Sequence, residues 1–298
     1  MQKIQANDII KNKRAEGDFT FSILVPSWNN LAYLQLCIES IRKNSFYKHQ
    51  LIVHINEGID GSLDWIKTQA DIDYTYSTTN IGICYALNAA RSIATTNYIL
   101  YINDDMYACP NWDKELMDEI QQIGHPYFFL SSTAIEPVAS SNCAIEKNFG
   151  TDLSSFKENE LLEQFDKLEM LDWAGSTWPP NIVHKDIWDL VGGYSIEFSP
   201  GMYSDPDFSM KLWLAGIKIF KGVSKSRVYH FGSKSVKRVK KNKGYYTFIS
   251  KWKISSSTVM KYYLKRGNKY DGAIKDAPLT IKWNIKNFYK RLQAFFKA

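Results

Sequence analysis

Two adjacent carboxylates, Asp104 and Asp105, follow the apolar run Tyr98–Ile102, with Asn103 between. A pair of acids at the tip of a buried strand is costly unless it is solvated, paired or bound to a cation. Oxygen donors of this kind suit Mg²⁺ or Mn²⁺, and such a cation is most useful where it bridges to a phosphate. The alternative is local: Asp105 sits in a turn or caps the helix that begins near Asn111. Other apolar runs also close on polar residues. Phe19–Ser27 ends in Pro26-Ser27-Trp28-Asn29, Gln50–Asn56 runs into Glu57-Gly58 and then Asp60-Gly61, and Tyr74–Ser77 is followed by Asn80 and Gly82.

These residues can share a site only if the runs that carry them lie side by side. Between the runs, Leu31, Leu34, Ile38 and Ile41 recur at helical spacing, and Gly82–Ala94 and Asn111–Ile123 also read as helices. Tyr127–Ser131 adds a further strand. Short strands and helices in alternation, with continuous apolar strands, predict an α/β fold: a mostly parallel central sheet with helices on both faces. In an open sheet of this kind, ligands bind beyond the carboxyl ends of the strands. Farther on, the acidic stretch Thr151–Asp172 reads as helical. Ser209–Ala215 is a helix closed by Gly216, and Ile217–Val223 is a strand. The expected organisation is a polar N-terminal segment (1–18), a main domain (19–232) and a basic, mainly helical C-terminal extension (233–298).

With 298 residues, 45% of them hydrophobic, 23% charged and nine of them Trp, the chain can build a core. That composition excludes disorder, collagen and small disulfide scaffolds. Four well-separated Cys form no Cys-x-x-Cys pair, so neither a zinc cluster nor a disulfide framework is indicated, and a reducing compartment is expected. The polar start lacks the apolar centre of a signal peptide, and no run reaches the roughly 18 apolar residues of a membrane span. A cytoplasmic location follows as an expectation. The net charge of +6 hides an asymmetry: residues 1–207 carry 14 Lys/Arg against 29 Asp/Glu, whereas residues 208–298 carry 23 against two. An acidic body therefore joins a basic end that should seek anions. Lys234, Lys237, Arg238, Lys240, Lys241 and Lys243 cluster there, and the last segment sets Trp283, Phe288, Phe295 and Phe296 among Lys282, Lys286, Lys290 and Arg291. A basic amphipathic helix of this kind reads as an element for an anionic membrane surface, or as one that packs on the acidic body.

Taken together, Val25-Pro26-Ser27-Trp28-Asn29, Asn56-Glu57-Gly58 with Asp60-Gly61, Asn80-Ile81-Gly82 with Asn88, and Asn103-Asp104-Asp105 before Pro110 resemble the nucleotide-sugar half of family 2 glycosyltransferases. Val191-Gly192-Gly193-Tyr194 followed by Ser204-Asp205-Pro206-Asp207-Phe208 is similar to the family's acceptor-side pattern. Val228-Tyr229-His230-Phe231-Gly232 resembles its late histidine segment. The resemblance covers roughly residues 20–235, and it divides the main domain into a nucleotide-sugar half (about 19–110) and an acceptor half (about 111–232). It implies the GT-A fold, inversion at the anomeric carbon, and a nucleoside-diphosphate donor, with UDP-sugars favoured.

Residue by residue, the resemblance implies that Asp105 is the metal-binding acid, while Asn103 stands where a first Asp is usual. Pro26, Ser27, Trp28, Asn29, Glu57, Asn80, Gly82, Asn88 and Asp104 would contact the nucleotide sugar. Asp205 matches the catalytic base, with Ser204 in place of the usual preceding Glu. Asp207 matches a second acidic position on the acceptor side, and His230 a further metal or diphosphate ligand. Trp173 and Trp178, with Trp188, are candidates to stack on an acceptor sugar, although large aromatics also serve cores.

The chemistry needs a divalent cation, Mn²⁺ or Mg²⁺, to neutralise the leaving diphosphate, and a carboxylate to take the proton of an acceptor hydroxyl. Asp205 at a helix start is expected to stay ionised as a weak base, although it also reads as an N-cap. His230 alone also reads as a buried, satisfied histidine. The expected acceptor is a glycan or a lipid-linked saccharide. A nucleotidyltransferase of similar build would want a Gly-rich basic phosphate loop after the first strand, and Pro26–Leu31 is not one. An anion- or nucleic-acid-binding protein would use the basic end but leaves the acids at the strand tips unexplained.

Overall fold

The computed structural model describes residues 8–139, 141–232, 243–276 and 278–297. Of the expected basic cluster, Lys234, Lys237, Arg238, Lys240 and Lys241 lie outside them. The first half alternates strands and helices: β1 (Ile9–Asn12), β2 (Phe21–Trp28), α1 (Leu31–Asn44), β3 (Gln50–Asn56), α2 (Ser62–Thr68), β4 (Ile72–Ser77), α3 (Gly82–Arg91) and β5 (Tyr98–Tyr101). Then come β6 (Met106–Ala108), α4 (Trp112–Ile123), β7 (Phe128–Glu136), β8 (Ala144–Glu146), α5 (Glu158–Gln164), β9 (Trp173–Ala174), β10 (Asn181–His184), α6 (Lys185–Leu190), α7 (Ser204–Leu214) and β11 (Ile219–His230). The C-terminal part holds α8 (Gly244–Trp252), α9 (Ser256–Thr258), a π-helical turn (Val259–Tyr263) and α10 (Ile281–Lys297).

The strands build one sheet in the order β1-β4-β3-β2-β5-β10-β7-β11-β6, with β8 beside β7 and β9 against β11. β4, β3, β2 and β5 are mutually parallel, and β7 is parallel to β11. Alternate residues of the central strands feed opposite faces. Ile23, Val25 and Val53 pack with Leu34, Ile38 and Ile41 of α1, whereas Leu24 and Ile52 pack with Cys84 and Leu87 of α3. Each such side chain, fully buried, stabilises the fold by about 1.5–3 kcal/mol.

β10 is antiparallel to both of its neighbours, β5 and β7. Its insertion therefore restores β7, and with it β11, to the direction of β5. The carboxyl ends of β2, β3, β5, β7 and β11 all reach the same rim as a result. This is the topological reason that residues as far apart as Ser27 and His230 can meet.

Several segments differ from expectation. β1 pairs with the edge of β4, so part of the polar N-terminal segment joins the sheet. The acidic stretch 151–172 is not one helix but α5 between short 3₁₀ turns, with the buried Arg227 donating to the carbonyls of Phe165 and Leu168. β11 is longer than read, continuing through a register shift between Val223 and Arg227. The C-terminal extension is not set apart at 232: Phe248, Val259, Met260 and Leu264 share a core cluster with Phe208 and Leu212 of α7. All four cysteines are free and buried. No described helix is long and apolar enough to cross a membrane.

Candidate functional site

The β2–β4 end of the rim is organised by Glu57. Its Oε2 accepts from the Trp28 indole N–H and the Asn29 amide, both at 2.9 Å, and its Oε1 from the backbone N–H of Asn80 at 3.3 Å. Asn29 and Glu57 both adopt left-handed backbone (φ 45° and 61°), a strained conformation for these residues that the shared hydrogen bonds hold in place. Asn56 Oδ1 takes the N–H of Ile81, and Asn80 Oδ1 takes that of Gly82, each at 2.9 Å. Gly82 itself must be glycine: a Cβ there would lie 2.2 Å from Ser199 Oγ and 2.6 Å from Pro200 Cα. Pro26, Ser27, Trp28, Asn80 and Gly82 line a cavity of about 800 Å³. Asn29 and Glu57 stand behind that wall and brace it.

The acids lie farther along the same cavity. Asp104 is buried and accepts from Ser27 Oγ at 2.7 Å. Asp105 is buried with its Oδ1 3.5 Å from His230 Nε2, while His230 Nδ1 lies 2.8 Å from Glu136 Oε1. Burial alone would depress the imidazole pKa, but Asp105 and Glu136 outweigh it and raise it to about 9. Asn103 accepts from the Tyr101 hydroxyl at 2.6 Å. Glu136 was not expected: the strand was read as ending at Ser131, and the polar Ser131-Ser132-Thr133 hid its continuation to Glu136. Among the described residues, no group of three or more His, Cys, Asp or Glu is arranged to hold a metal. Asp105 and His230 would supply two donors to a divalent cation. Glu136 on Nδ1 holds the ring with Nε2 toward Asp105, as a carboxylate behind a ligating histidine does. The remaining positions would fall to phosphate and water. That set fits Mg²⁺ or Mn²⁺, which bind through few protein ligands and the phosphates of a substrate.

Asp205 lines the same cavity from the first turn of α7. Its Oδ1 accepts from the Tyr194 hydroxyl at 3.2 Å. Burial lifts its pKa to about 7, and the hydrogen bond from Tyr194 only partly opposes the rise. The expectation of an always ionised Asp205 is therefore corrected: loss of water outweighs the helix terminus. Nor is Asp205 the cap of α7, a position held by Tyr203. Tyr101 lies within the field of Asp205, Asp105 and Asp104, whose charges add to burial in raising its pKa. The two acidic groups thus face one space.

Besides Asn29 and Glu57, expected to contact the nucleotide sugar but absent from the cavity lining, three assignments change. Asn88 does not line the cavity; its amide donates to Tyr194 O (2.7 Å) and accepts from Tyr194 N–H (2.9 Å), clamping α3 to the Gly192-Gly193 turn. Asp207 also leaves the cavity: on the next face of α7 it is fully buried against the Trp252 indole N–H (2.9 Å) and Lys251 Nζ (2.8 Å). Trp188 is core, packed on Tyr194 and Phe208. Trp173 and Trp178 do line the cavity. Trp173 is buried, donates to Thr133 Oγ1 at 2.9 Å and fills the space that Gly222 leaves, while the Trp178 ring carries Arg266 at 5.2 Å. The C-terminal extension adds Ser256, Ser257, Met260, Lys261 and Arg266 to the lining, none of which its sequence announced.

The segment from β2 to just past β8 carries all but one of the acids of this cavity. Residues 22–150 match the family model described as Glycosyl transferase family 2. The fold is GT-A. Solved structures extend the likeness over the rest of the chain. Crystal structures of S. aureus TarS 1-349, alone and in complex with UDP-GlcNAc, share 14% identity, at TM-scores of 0.56 and 0.57. Each alignment covers 94% of this chain, and 72% and 73% of the TarS chains. A crystal structure of GalNAc-T7 with UDP, GalNAc and Mn²⁺ gives a TM-score of 0.53 at 15% identity, over 71% of this chain and 44% of that one. No curated relative matches the sequence.

Proposed function

We propose that the chain is an inverting glycosyltransferase, of the hexosyl-transferring type, that moves a sugar from a nucleoside diphosphate to an acceptor hydroxyl during glycan, polysaccharide or glycolipid synthesis. One observation carries the reading: Asp105 and Asp205 line a single cavity of about 800 Å³, on a rim whose first half matches a sugar-transferring family. UDP is the favoured nucleotide, since TarS and GalNAc-T7 were crystallised with UDP or its sugars.

Trp28 and the Asn80–Gly82 turn, braced by Glu57, supply a preformed wall for the nucleoside. Asp105 and His230 would hold the cation, which when bound neutralises charge on the departing diphosphate. Asp205 takes the proton of the acceptor hydroxyl as the new glycosidic bond forms, and Tyr194 orients the carboxylate and favours its anionic form. A pKa near 7 makes Asp205 a stronger base than an ordinary aspartate while leaving it substantially ionised at neutral pH. Direct attack by that hydroxyl inverts the anomeric carbon without a covalent intermediate. Trp173 and Trp178 offer apolar faces to an acceptor sugar. Thermal stabilisation by UDP with Mn²⁺, followed by a panel of sugar nucleotides, tests the reading. Absence of a shift with every nucleoside diphosphate overturns it.

A further inference from the structure

α10 lies on the body through Trp283, which meets Tyr262, and through Asn287 and Ala294. Asn287 is buried, and its Oδ1 accepts from Ser255 N–H at 3.0 Å and from Thr258 Oγ1 at 2.7 Å; Ala294 is buried on the same side. The opposite face carries Ile281, Ile285, Phe288, Leu292 and Phe295, in steps of four and three that define one stripe of a helix. These side chains are 78%, 53%, 51%, 44% and 82% exposed. Ordinary amphipathic helices bury such a stripe against their own core. Lys282 and Arg291 flank it and are exposed, Lys286 and Lys290 turn toward Trp283 and Tyr245 on the inner side, and the helix contains no acid. Like charge is already crowded here: burial and then Lys261, Lys290 and Lys282 lower the Lys286 pKa. A second copy of the chain on this stripe would set two wholly basic helices against each other, which their charge opposes. An anionic surface answers both the charge and the apolar stripe.

We propose that the outward face of α10 seats the protein on an anionic lipid bilayer. Ile281, Ile285, Phe288, Leu292 and Phe295 enter the acyl boundary, and the flanking Lys and Arg side chains meet the headgroup phosphates. The docking stands apart from the transferase reading. Where that reading also holds, Asn287 gives it a consequence: it holds the Ser255–Thr258 turn, whose Ser256 and Ser257 line the cavity, so a lipid-linked acceptor would meet the site beside the bilayer.

The test is co-sedimentation of the full chain with vesicles of equal parts phosphatidylglycerol and phosphatidylcholine, or of phosphatidylcholine alone. The wild type partitions onto the anionic vesicles, and binding weakens as salt rises from about 0.1 M to about 0.5 M. The double variant Phe288→Asp/Phe295→Asp, altered only at exposed positions and keeping the wild-type melting temperature, loses partitioning by about tenfold or more. Equal partitioning of variant and wild type, or no binding of the wild type to anionic vesicles, overturns the proposal. So does a dimer in sedimentation velocity that the same two substitutions dissolve, which would assign the stripe to a second copy. UDP stabilisation measured on the same samples reports on the transferase reading separately.

Discussion

The two ends of the rim use polar side chains in opposite ways. At the β2–β4 end, Glu57 is shared among Trp28, Asn29 and the Asn80 backbone, and Asn56 and Asn80 each hold a backbone N–H. That wall is complete before any ligand arrives. At the β5–β11 end, carboxylates are concentrated and two groups are displaced in protonation: Asp205 to about 7 by burial, and His230 to about 9 by Asp105 and Glu136 against the pull of burial. In the proposed function the first end would recognise by preformed shape, and the second would meet a cation and a reacting hydroxyl with its charge. α7 carries the same contrast within a single turn: Asp207 is held by an ion pair to Lys251 and a hydrogen bond from Trp252, whereas Asp205 two positions earlier opens onto the cavity.

The comparison breaks first at Asp205. Asp205→Asn lowers kcat by about 10²–10⁴ while UDP affinity stays within about twofold, read by steady-state turnover and UDP titration. Unimpaired turnover removes Asp205 as the base. Glu136→Gln weakens the Mn²⁺ dependence of UDP binding by about 10–100-fold, measured as the apparent Mn²⁺ dissociation constant. Glu57→Gln raises the UDP dissociation constant by about tenfold with kcat nearly unchanged, because it loosens the wall and not the chemistry. Asp207→Asn lowers stability by about 2 kcal/mol in denaturant unfolding and spares turnover by the remaining folded enzyme.

The smallest effect sharpens the contrast. With Asp205 as the proposed base, activity is expected to rise with pH through about 7, as a pH–rate profile would read. Tyr194→Phe removes a donor that favours the anion, and the acidic limb of the profile moves to higher pH by a fraction of a unit. A limb that stays in place places Tyr194 outside the titration.

Much of this was readable locally. β3 runs over Gln50–Asn56 as its apolar pattern indicates, and β2, α1, α3 and α4 fall within a few residues of their signals. The strand tips Ser27–Trp28, Asn56–Glu57 and Asp104–Asp105 were legible for the same reason: an abrupt change from apolar to polar needs no knowledge of distant chain. β10 was not legible, since it has four residues behind Pro179-Pro180 and draws its strand character from β5 and β7. Asn88 and Asp207 matched positions in a pattern, but which way each side chain turns is set by the Gly192–Tyr194 turn and by α8, far away in sequence.

The sequence by itself determined that acids would collect at the ends of parallel strands, because periodicity records which face of a segment is buried and where burial stops. Only the tertiary structure decided what each acid would meet. Glu136 and His230 come together because β7 and β11 pair in parallel with Ile135 opposite Tyr229, across a register that no local pattern encodes. The apolar stripe of α10 is written in its residues, yet that it faces away from the body follows from Asn287 reaching Ser255 and Thr258. Burial tendency is a property of a segment, whereas partners, protonation and exposure belong to whatever the rest of the chain places beside it.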